Sequence, residues 1–443
     1  MHSIGFTGQS GDENITVYNI NFNMKNTEII ILLITLVYSL PGLLFSQNTS
    51  NAVLYVGLGV SQVNITPDTP TLMSGYDSRI TPYTEIHDSL YASALLFSNE
   101  RQQVLLITAD LIGFPFEFID DTKNKISSKI GIPVENIMLV ATHNHGGPSI
   151  DKNGPESVRV YTGELQKKLT GIALKASKNV MPFRLGIGKG YCNMNINRRA
   201  EYAEGEIWIG ANPDGPCDHE LDVVKFESLE NKTLAVLINW PCHGTVTGYS
   251  NYQISGDWPG AAARYIKKQI GEDIVVAVTA GASADINPVY RPSDSFRRVE
   301  AVGYHVGRET NNVFTQIETR PVKFLQTVET TLYFPGKKRS EDHFPKTSFL
   351  PGPDKEIRLT ITKIGNLVFA GISGELMTEI GMEIKEQSPF SATIVLTHCN
   401  GSSGYICTDK SYPEGGYEVQ VTELMPGVER PLIREFVGLI HSF

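Results

Sequence analysis

Two histidine-bearing turns each follow an apolar run that is typical of a buried β-strand. Residues Ile137–Ala141 precede a glycine-rich turn that carries His143 and His145, and Leu234–Trp240 precede a turn that carries His243. Histidines at the C-terminal ends of strands, beside glycines that allow close backbone approach, suit a zinc ion that keeps one position open. The pattern equally permits histidines that only hydrogen-bond within their own turns.

Strand-like and helix-like segments alternate along the rest of the chain. Further apolar runs predict strands at Ala52–Val60, Tyr91–Phe97, Val104–Ala109, Leu221–Phe226, Ile274–Thr279, Leu367–Ile372 and Ala392–Thr397. Amphipathic segments predict helices at Glu117–Ile130, Val158–Ala176, Ala261–Ile270, Phe296–Ile317, Leu376–Lys385 and Pro431–His441. This order predicts an α/β protein with mixed sheets flanked by helices. Polar turns follow nearly every strand, and a site would be assembled from those turns.

The first 46 residues have the organisation of an export signal. Met24-Lys25-Asn26 precedes an apolar run from Ile29 to Leu40, which Pro41 interrupts. We interpret residues 24–46 as a signal peptide, residues 1–23 as a leader upstream of the true start, and residues 47–443 as one metal-dependent catalytic domain. The apolar run is too short for a stable membrane anchor, so we expect a periplasmic or secreted protein.

Charge and cysteine content narrow the classes of partner. A net charge of −10 argues against nucleic acid and against an anionic membrane surface. The five cysteines are too few and too scattered for a disulfide scaffold. Cys399 and Cys407 bracket a short Gly/Ser loop, and this pair is our candidate for a bridge in an oxidising compartment. The oligomeric state stays open.

Short motifs occur along the chain in a set order. They are Asn64-Ile65-Thr66-Pro67, Met73-Ser74-Gly75-Tyr76, Thr142-His143-Asn144-His145-Gly146-Gly147-Pro148, Ile196-Asn197-Arg198, Pro241-Cys242-His243, Ser255-Gly256-Asp257, Ser373-Gly374-Glu375, and Gly404-Tyr405 followed by Tyr417. With these motifs the chain resembles the catalytic domain of the neutral (non-lysosomal) ceramidase family. The resemblance implies a zinc-dependent enzyme of the type that cleaves the amide of ceramide.

The resemblance also implies roles for individual residues. Four are implied as ligands of one zinc ion, namely His143, His243, Glu375 and Tyr405. Three are implied to face the substrate, namely His145, Arg198 and Tyr417. In that arrangement His145 acts as acid or base, and Arg198 offers a bidentate fork to a carboxylate or an oxyanion. The alternatives are that Glu375 is only a charge at a helix N-terminus and that the two tyrosines are half-buried loop aromatics.

The chain departs from the family pattern in two places. In the segment Ala284-Asp285-Ile286-Asn287-Pro288, Asn287 occupies the position at which the family has a nucleophilic serine. The side-chain amide of asparagine cannot serve as that nucleophile. The chain also ends at Phe443, so we expect the catalytic domain without the family's C-terminal β-sandwich. Activated water can still hydrolyse an amide without serine. The two departures therefore argue more strongly against ceramide as the substrate than against amide cleavage as the reaction.

The segment expected to meet the substrate is polar. It contains Asn195, Asn197, Arg198, Arg199, Glu201 and Glu204, with Trp208 and Asn212 close behind. A solvated loop explains such a run equally well. A lipid-binding groove should expose a cluster of apolar residues, and none is evident in the sequence. The leading hypothesis is therefore a metal-dependent lyase that eliminates water from a terminal uronic acid of an oligosaccharide, giving a 4,5-unsaturated uronate.

Three functions stay open at this point. In the lyase, Arg198 and the metal would hold the carboxylate while Tyr417 or His145 takes the C5 proton, a picture that the ulvan-oligosaccharide dehydratases of marine flavobacteria would fit. The second function is a zinc amidohydrolase of the neutral ceramidase type acting on an N-acyl lipid or N-acyl amino sugar. The third is a catalytically inactive carbohydrate-binding relative, as Asn287 suggests, although the retained ligand types argue against it.

Overall fold

The apolar runs of the sequence become the central strands of two packed sheets. The structure is a computed structural model that describes residues 55–290, 292–339 and 348–443. The predicted leader and signal peptide lie outside these residues. Within them, no helix combines the length and the apolar character that crossing a bilayer requires.

The strands are β1 (Gly57–Asn64), β2 (Glu85–Ile86), β3 (Tyr91–Ser98), β4 (Gln103–Ala109), β5 (Ile137–Ala141), β6 (Met181–Tyr191), β7 (Asn195–Glu201), β8 (Ile207–Asn212), β9 (Glu220–Ser228), β10 (Thr233–Trp240), β11 (Gln253–Ile254), β12 (Val275–Ala280), β13 (Ile286–Pro288), β14 (Arg320–Pro321), β15 (Leu325–Lys337), β16 (Pro351–Ile364), β17 (Leu367–Ile372), β18 (Glu375–Leu376), β19 (Ala392–Leu396) and β20 (Tyr405–Ile406). The helices are α1 (Phe116–Ile130), α2 (Glu156–Ser177), α3 (Asp257–Ile270), α4 (Phe296–Phe314), α5 (Thr378–Gln387), α6 (Ser411–Glu414), α7 (Tyr417–Val421) and α8 (Glu429–His441). Short 3₁₀ turns occupy Val134–Asn136 and Ala203–Gly205.

The larger sheet contains nine strands within the described residues. Eight run in the order β12-β10-β9-β6-β1-β3-β4-β5, and β14 pairs with β6. The β10–β12 and β4–β5 pairs are parallel, and the others are antiparallel. The sheet is strongly curved. Strand β12 is at one edge of the sheet, yet the Val276 carbonyl on it accepts hydrogen bonds from Gln62 on β1 (3.4 Å) and Ser93 on β3 (3.3 Å).

The smaller sheet, in the order β15-β16-β17-β19, packs face to face on the larger one. Their shared core includes Leu106, Phe226, Leu237, Phe369 and Ile394. Helices α1 and α2 cover one outer face of the larger sheet, and α3 and α4 cover another. Helices α5 and α8 cover the outer face of the smaller sheet. The predicted mixed α/β class is therefore confirmed as layers of helix, sheet, sheet and helix.

Helix α5 begins later than the sequence predicts. Residues 52–54 of the run predicted as the first strand lie outside the described residues, and β1 begins at Gly57 within the described part. Ile137–Ala141 and Leu367–Ile372 are strands over the predicted residues. Leu376 lies in β18, and α5 starts at Thr378. The Thr378 N–H donates to Asp285 Oδ1 at 2.8 Å, so a buried carboxylate from a distant segment fixes the start of this helix.

The polar segment near residue 195 is a strand and not a solvated loop. Strand β7 lies between β8 and β13, and Asn195, Asn197, Arg198 and Arg199 are buried. Its polar groups find partners inside the protein; for example, the Asn195 amide donates to two backbone carbonyls. Because these internal partners replace water, the strand can be buried although its side chains are polar. A search for apolar alternation therefore did not reveal it.

The suggested Cys399–Cys407 bridge is wrong, because both thiols are free and buried. Cys399 lies in the core between the sheets, whereas Cys407 belongs to a separate cluster with Met377 and Tyr405. Packing in two different cores separates the two side chains despite their closeness in sequence.

A buried carboxylate on β9 makes stability depend on pH. Asp222 is 2% exposed and its Oδ1 has no hydrogen-bond partner among the described residues. Burial, and then the charge of Glu220, raise the pKa of Asp222 to about 7, against an ordinary value of about 3.9. The folded state thus binds this proton more tightly than the unfolded state, and the resulting stabilisation is lost as pH rises through 7.

We predict that Asp222→Asn removes this pH dependence. The melting temperature of the variant minus that of the wild type should increase from about pH 5 to about pH 8, since only the wild type must ionise a buried group. Thermal scans across this range measure the difference. Asp214→Asn, at an exposed position, is the control and should give a constant difference. A constant difference for Asp222→Asn would contradict the prediction.

Candidate metal centre

The two histidine turns are joined to each other by backbone hydrogen bonds, although β5 and β10 are not neighbours in the order of the sheet. His143 and His145 follow β5, and His243 follows β10. The His145 N–H donates to Gly244 O at 3.0 Å, and the Gly244 N–H donates to His143 O at 3.2 Å. A Cβ at Gly244 would lie 2.9 Å from Asn144 Cα, so only glycine permits this approach.

Each of the three imidazoles has its Nδ1 beside a backbone carbonyl. The distances are 2.8 Å for His143, 3.1 Å for His145 and 2.8 Å for His243, and the acceptors are Ile112 O, Gly75 O and Ser283 O, respectively. A carbonyl can only accept, so each Nδ1 carries the proton and each Nε2 offers a lone pair. This is the arrangement in which histidines bind metals, with the second nitrogen fixed by a carbonyl.

The three bare nitrogens converge in a space closed to solvent. Their ligand atoms all lie within 4.8 Å of one another, and His143 Nε2 is 3.3 Å from His145 Nε2. Burial is the main cause that lowers the pKa values of all three, those of His145 and His243 well below the ordinary value. Neutral imidazoles with facing lone pairs repel one another, and a cation between them removes the repulsion.

Glu375 completes the group of donors. Its Oε2 is 3.4 Å from His143 Nε2 and 3.5 Å from His243 Nε2, and it is buried without a hydrogen-bond partner among the described residues. Glu375 lies in β18, which pairs with β20, so it is not part of a helix. In a tetrahedral zinc site with bonds of about 2.0–2.1 Å, neighbouring donors are separated by about 3.3–3.4 Å. The donors present therefore fit a zinc ion.

Arg198 lies beside these donors and is occupied by side chains of this chain. Its Nη1 is 3.2 Å from His243 Nε2, its Nη2 donates to Tyr405 Oη at 3.1 Å, and its Nε donates to Glu418 Oε1 at 2.7 Å. Nη1 also lies 3.3 Å from Asn287 Oδ1. Arg198 is 4% exposed. The guanidinium thus holds Tyr405 and the centre in place and is already paired with a carboxylate.

Glu418 carries the charge that Arg198 requires. It is 1% exposed, and its second oxygen accepts a hydrogen bond from Arg199 Nη1 at 3.0 Å. Arg199 also contacts Glu414, whose side chain is half exposed. Two buried arginines therefore share one buried carboxylate, and no sequence motif singled out this residue.

Tyr417 lies at the open side of this group. Its ring centroid is 5.8 Å from that of Tyr405 and 5.6 Å from that of Trp208, in edge-to-face contacts. The Cζ of Arg198 lies 5.6 Å from the Tyr417 ring centroid. Burial raises the pKa of Tyr417, and the charge of Arg198 opposes that shift. A half-buried phenol that stays protonated at neutral pH is suited to donating a hydrogen bond or a proton.

The structure also places a fourth histidine in the centre, which the sequence interpretation missed. His398 follows β19 as His143 follows β5, and this strand-then-histidine pattern was the available signal. Its ring stacks on that of His143, with centroids 3.9 Å apart and planes 11° apart. The ligand atoms of His143, Glu375 and His398 lie within 4.8 Å of one another.

The residues singled out in the sequence thus come together around one buried space. The imidazoles of His143, His145 and His243 surround it with the Glu375 carboxylate, and Arg198 connects it to Tyr405 and Tyr417. Their assignments as ligands or as catalytic groups stay predictions. The geometry defines the class as a mixed α/β protein with a buried histidine and carboxylate cluster able to hold a metal.

Comparison with known proteins identifies the family. Residues 55–289, more than half of the chain, match the N-terminal part of the neutral/alkaline non-lysosomal ceramidase family, and the chain belongs to that family. It is 28% identical to neutral ceramidase B of Dictyostelium discoideum over 144 residues, 30% of this chain and 20% of that protein. Neutral ceramidase A of the same organism is 28% identical over 138 residues, 29% of this chain and 19% of that protein. The matches thus span about a fifth of these relatives.

The fold is similar to that of solved ceramidases. The structure of neutral ceramidase from Pseudomonas aeruginosa gives a TM-score of 0.73 at 17% identity, covering 88% of this chain and 75% of that one. A ceramidase complexed with C2 gives 0.75 at 16% identity with the same coverage. At this identity the likeness concerns the fold alone, and it confirms the expected ceramidase-like fold.

We predict that Glu418→Gln destabilises the protein by about 3–5 kcal/mol. The substitution removes one partner of a buried ion pair and leaves two buried arginines short of a counter-charge. Urea unfolding monitored by fluorescence measures the change. Glu414→Gln, which alters the exposed partner of Arg199, should cost less than about 1 kcal/mol. Equal losses in the two variants would contradict the buried-pair interpretation.

We also predict that zinc stabilises the protein after chelator treatment. Binding to the folded state alone adds about 2.7 kcal/mol at a hundredfold excess of free ion over Kd. The melting temperature should therefore increase when zinc is added to the wild type and should not increase for His143→Asn. Asparagine tolerates the φ of 58° that His143 adopts, so the variant tests the imidazole and not the backbone. His87→Asn, at an exposed site, is the control and should respond as the wild type does.

Proposed function

We propose that this protein is a metal-dependent amidohydrolase that cleaves the amide bond of an N-acyl substrate. Membership of the ceramidase family supports this function, as does the fold shared with solved ceramidases. The observation that carries the proposal is the donor set of His143, His243 and Glu375 at zinc-like separations, beside a guanidinium that is already neutralised by Glu418.

We propose His143, His243 and Glu375 as ligands, with Tyr405 adjacent to them. These residues would hold a divalent ion, which when bound would supply Lewis acidity and lower the pKa of water. His145 has its Nδ1 proton directed at Gly75 O, so its Nε2 is available to accept a proton. In an amide hydrolysis, His145 would take the proton of the attacking water and return it to the leaving nitrogen.

The tyrosines suit stabilisation of the charge that develops on the carbonyl oxygen. Tyr417 lies at the open side of the group with its phenol protonated, and Arg198 holds the neighbouring Tyr405 hydroxyl. A donor that is already oriented costs no reorganisation when the oxyanion forms. Asn287, at the position where the family resemblance places a serine, accepts from Arg198 and offers no nucleophile, so the attacking group in this proposal is water.

Exposed apolar side chains on loops beside the centre favour an acyl substrate. Ile80 is 79% exposed and follows Arg79, whose side chain donates a hydrogen bond to His145 O. Tyr249 is 65% exposed and follows Gly248, whose carbonyl also accepts a hydrogen bond from Arg79. Val289 is 38% exposed and lies two residues beyond Asn287. Apolar residues at such positions are suited to contact a hydrocarbon chain, and no sequence motif singled them out.

Elimination from a uronate is the second candidate, and Asn287 is the observation that favours it. A lyase needs no serine, and Tyr417 with His145 would provide the acid and base. This candidate also assigns Arg198, together with the metal, to the substrate carboxylate, yet each nitrogen of the Arg198 guanidinium contacts a side chain of this chain. That requirement places the amidohydrolase first.

The two candidates predict different products for the purified enzyme. With N-acyl substrates such as ceramide, mass spectrometry should detect a free fatty acid and an amine, whose combined mass is the substrate plus one water. Uronic-acid oligosaccharides should stay unchanged. Loss of one water from the oligosaccharide, with ultraviolet absorbance from an unsaturated uronate, would overturn the amidohydrolase proposal and establish the lyase.

For the accepted substrate, Tyr417→Phe should lower kcat by at least about 100-fold with little change in KM. The substitution keeps the ring contacts and removes a donor that acts mainly in the transition state. Steady-state kinetics measure both constants. Tyr333→Phe, on exposed β15, is the matched control and should retain full activity. A rise in KM of similar size, with kcat unchanged, would instead assign Tyr417 to substrate binding.

A further inference from the structure

We propose that Arg79 is a positioning residue for His145. Its guanidinium fixes the backbone of His145 and, through the loop of residues 74–79, the direction in which the imidazole points. The inference rests on the proposed function, which assigns proton transfer to His145. It also gives a role to the motif Met73-Ser74-Gly75-Tyr76, which contributes no donor to the metal centre.

The buried guanidinium of Arg79 joins three loops through their backbone carbonyls. Arg79 is 4% exposed. Its Nη1 donates to His145 O at 2.6 Å and to Ser74 O at 3.2 Å. Its Nη2 donates to Gly248 O at 2.8 Å, and its Nε donates to Tyr249 O at 3.4 Å. The planar fork thus ties the His145 backbone to two other loops, which the single ammonium of a lysine does not do.

The loop that Arg79 closes also contacts the His145 ring. The Nδ1–H of His145 donates to Gly75 O at 3.1 Å. The ring of Tyr76 lies against the imidazole, with the two centroids 5.1 Å apart, and Arg79 Cζ lies 4.6 Å from the Tyr76 centroid. Arg79 therefore supports His145 through the ring that packs on it as well as through the main chain.

The contact between the loop and the imidazole leaves no spare room. Gly75 has φ of 102°, in the left-handed region that favours glycine, and a Cβ there would lie 2.6 Å from His145 Nδ1. Because a carbonyl only accepts, the Gly75 carbonyl keeps the proton on Nδ1 and leaves Nε2 to accept another. A displaced loop would no longer favour this tautomer. The position of the loop therefore decides whether His145 presents the nitrogen that proton transfer requires.

The tautomer of His145 in two variants tests the inference without substrate. Arg79→Lys keeps the charge but not the fork, and Arg79→Gln removes the charge. Nitrogen-15 NMR of the histidine side chains in purified, full-length protein reports which ring nitrogen carries the proton, and His145→Gln identifies the signal. The wild type should show the Nδ1–H tautomer. Both Arg79 variants should show a mixture with the Nε2–H tautomer.

Kinetics provide the second readout. For the accepted N-acyl substrate, kcat of both variants should fall at least about 10-fold while KM stays within about threefold, because a misplaced catalytic group slows the reaction more than it weakens binding. Arg320→Lys is the control, because the Arg320 side chain is 85% exposed. It should keep the tautomer and the kinetic constants of the wild type.

The outcomes separate this inference from the proposed function. If both variants keep the wild-type tautomer, Arg79 does not position His145 and the inference fails, whatever the change in melting temperature. If KM increases and kcat is unchanged, Arg79 only shapes the substrate rim and the inference also fails. If the wild type cleaves no N-acyl substrate, the proposed function fails and the tautomer alone decides the role of Arg79. Should Arg79→Gln not fold, Arg79→Lys decides.

Discussion

The centre depends on three buried imidazoles whose unprotonated nitrogens point toward one another and repel. The Nδ1–H groups of His143, His145 and His243 donate to backbone carbonyls, so each Nε2 directs its lone pair into the centre. Only the Nε2 of His243 has a donor there, Arg198 Nη1 at 3.2 Å, among the contacts described. Burial keeps these groups neutral, so protonation does not relieve the repulsion. A divalent ion bound there would relieve it and would also provide a partner for the otherwise unpartnered oxygen of Glu375. Metal binding would therefore link the stability of the centre to the proposed function.

A buried network of charges supports the centre from one side. Glu418 forms ion pairs with both Arg198 and Arg199. Arg198 in turn holds Tyr405 and borders His243. Arginine is required because its planar fork reaches several partners at once, which a lysine ammonium does not. The network explains why β7 is rich in polar residues although it is buried. It also makes Arg198 a group that organises the centre, since its own chain already supplies the carboxylate.

Much of the fold was predictable, and the exceptions share a physical cause. Strands buried on both faces, such as Ile137–Ala141, are continuous apolar runs and were located from the sequence. Strand β7 was missed because hydrogen bonds from distant residues satisfy its polar side chains. The suggested Cys399–Cys407 bridge failed because nearness along the chain does not decide which core a side chain joins. In the candidate site, the motifs singled out His143, His243 and Glu375. The strand that precedes His398 offered a signal for that residue, whereas Glu418 became evident only from its contacts.

The sequence by itself determined the class of fold, the histidine turns at strand ends and the family, because these depend on local patterns of apolar residues, glycines and motif order. It could not determine what Arg198 binds, that His398 joins the centre, or that Ile80 and Tyr249 lie on loops beside it. Those facts depend on pairs of residues far apart in the chain, such as Arg198 with Glu418. Only the tertiary structure brings such pairs together, because packing of the two sheets and their covering helices sets distances that no local pattern encodes.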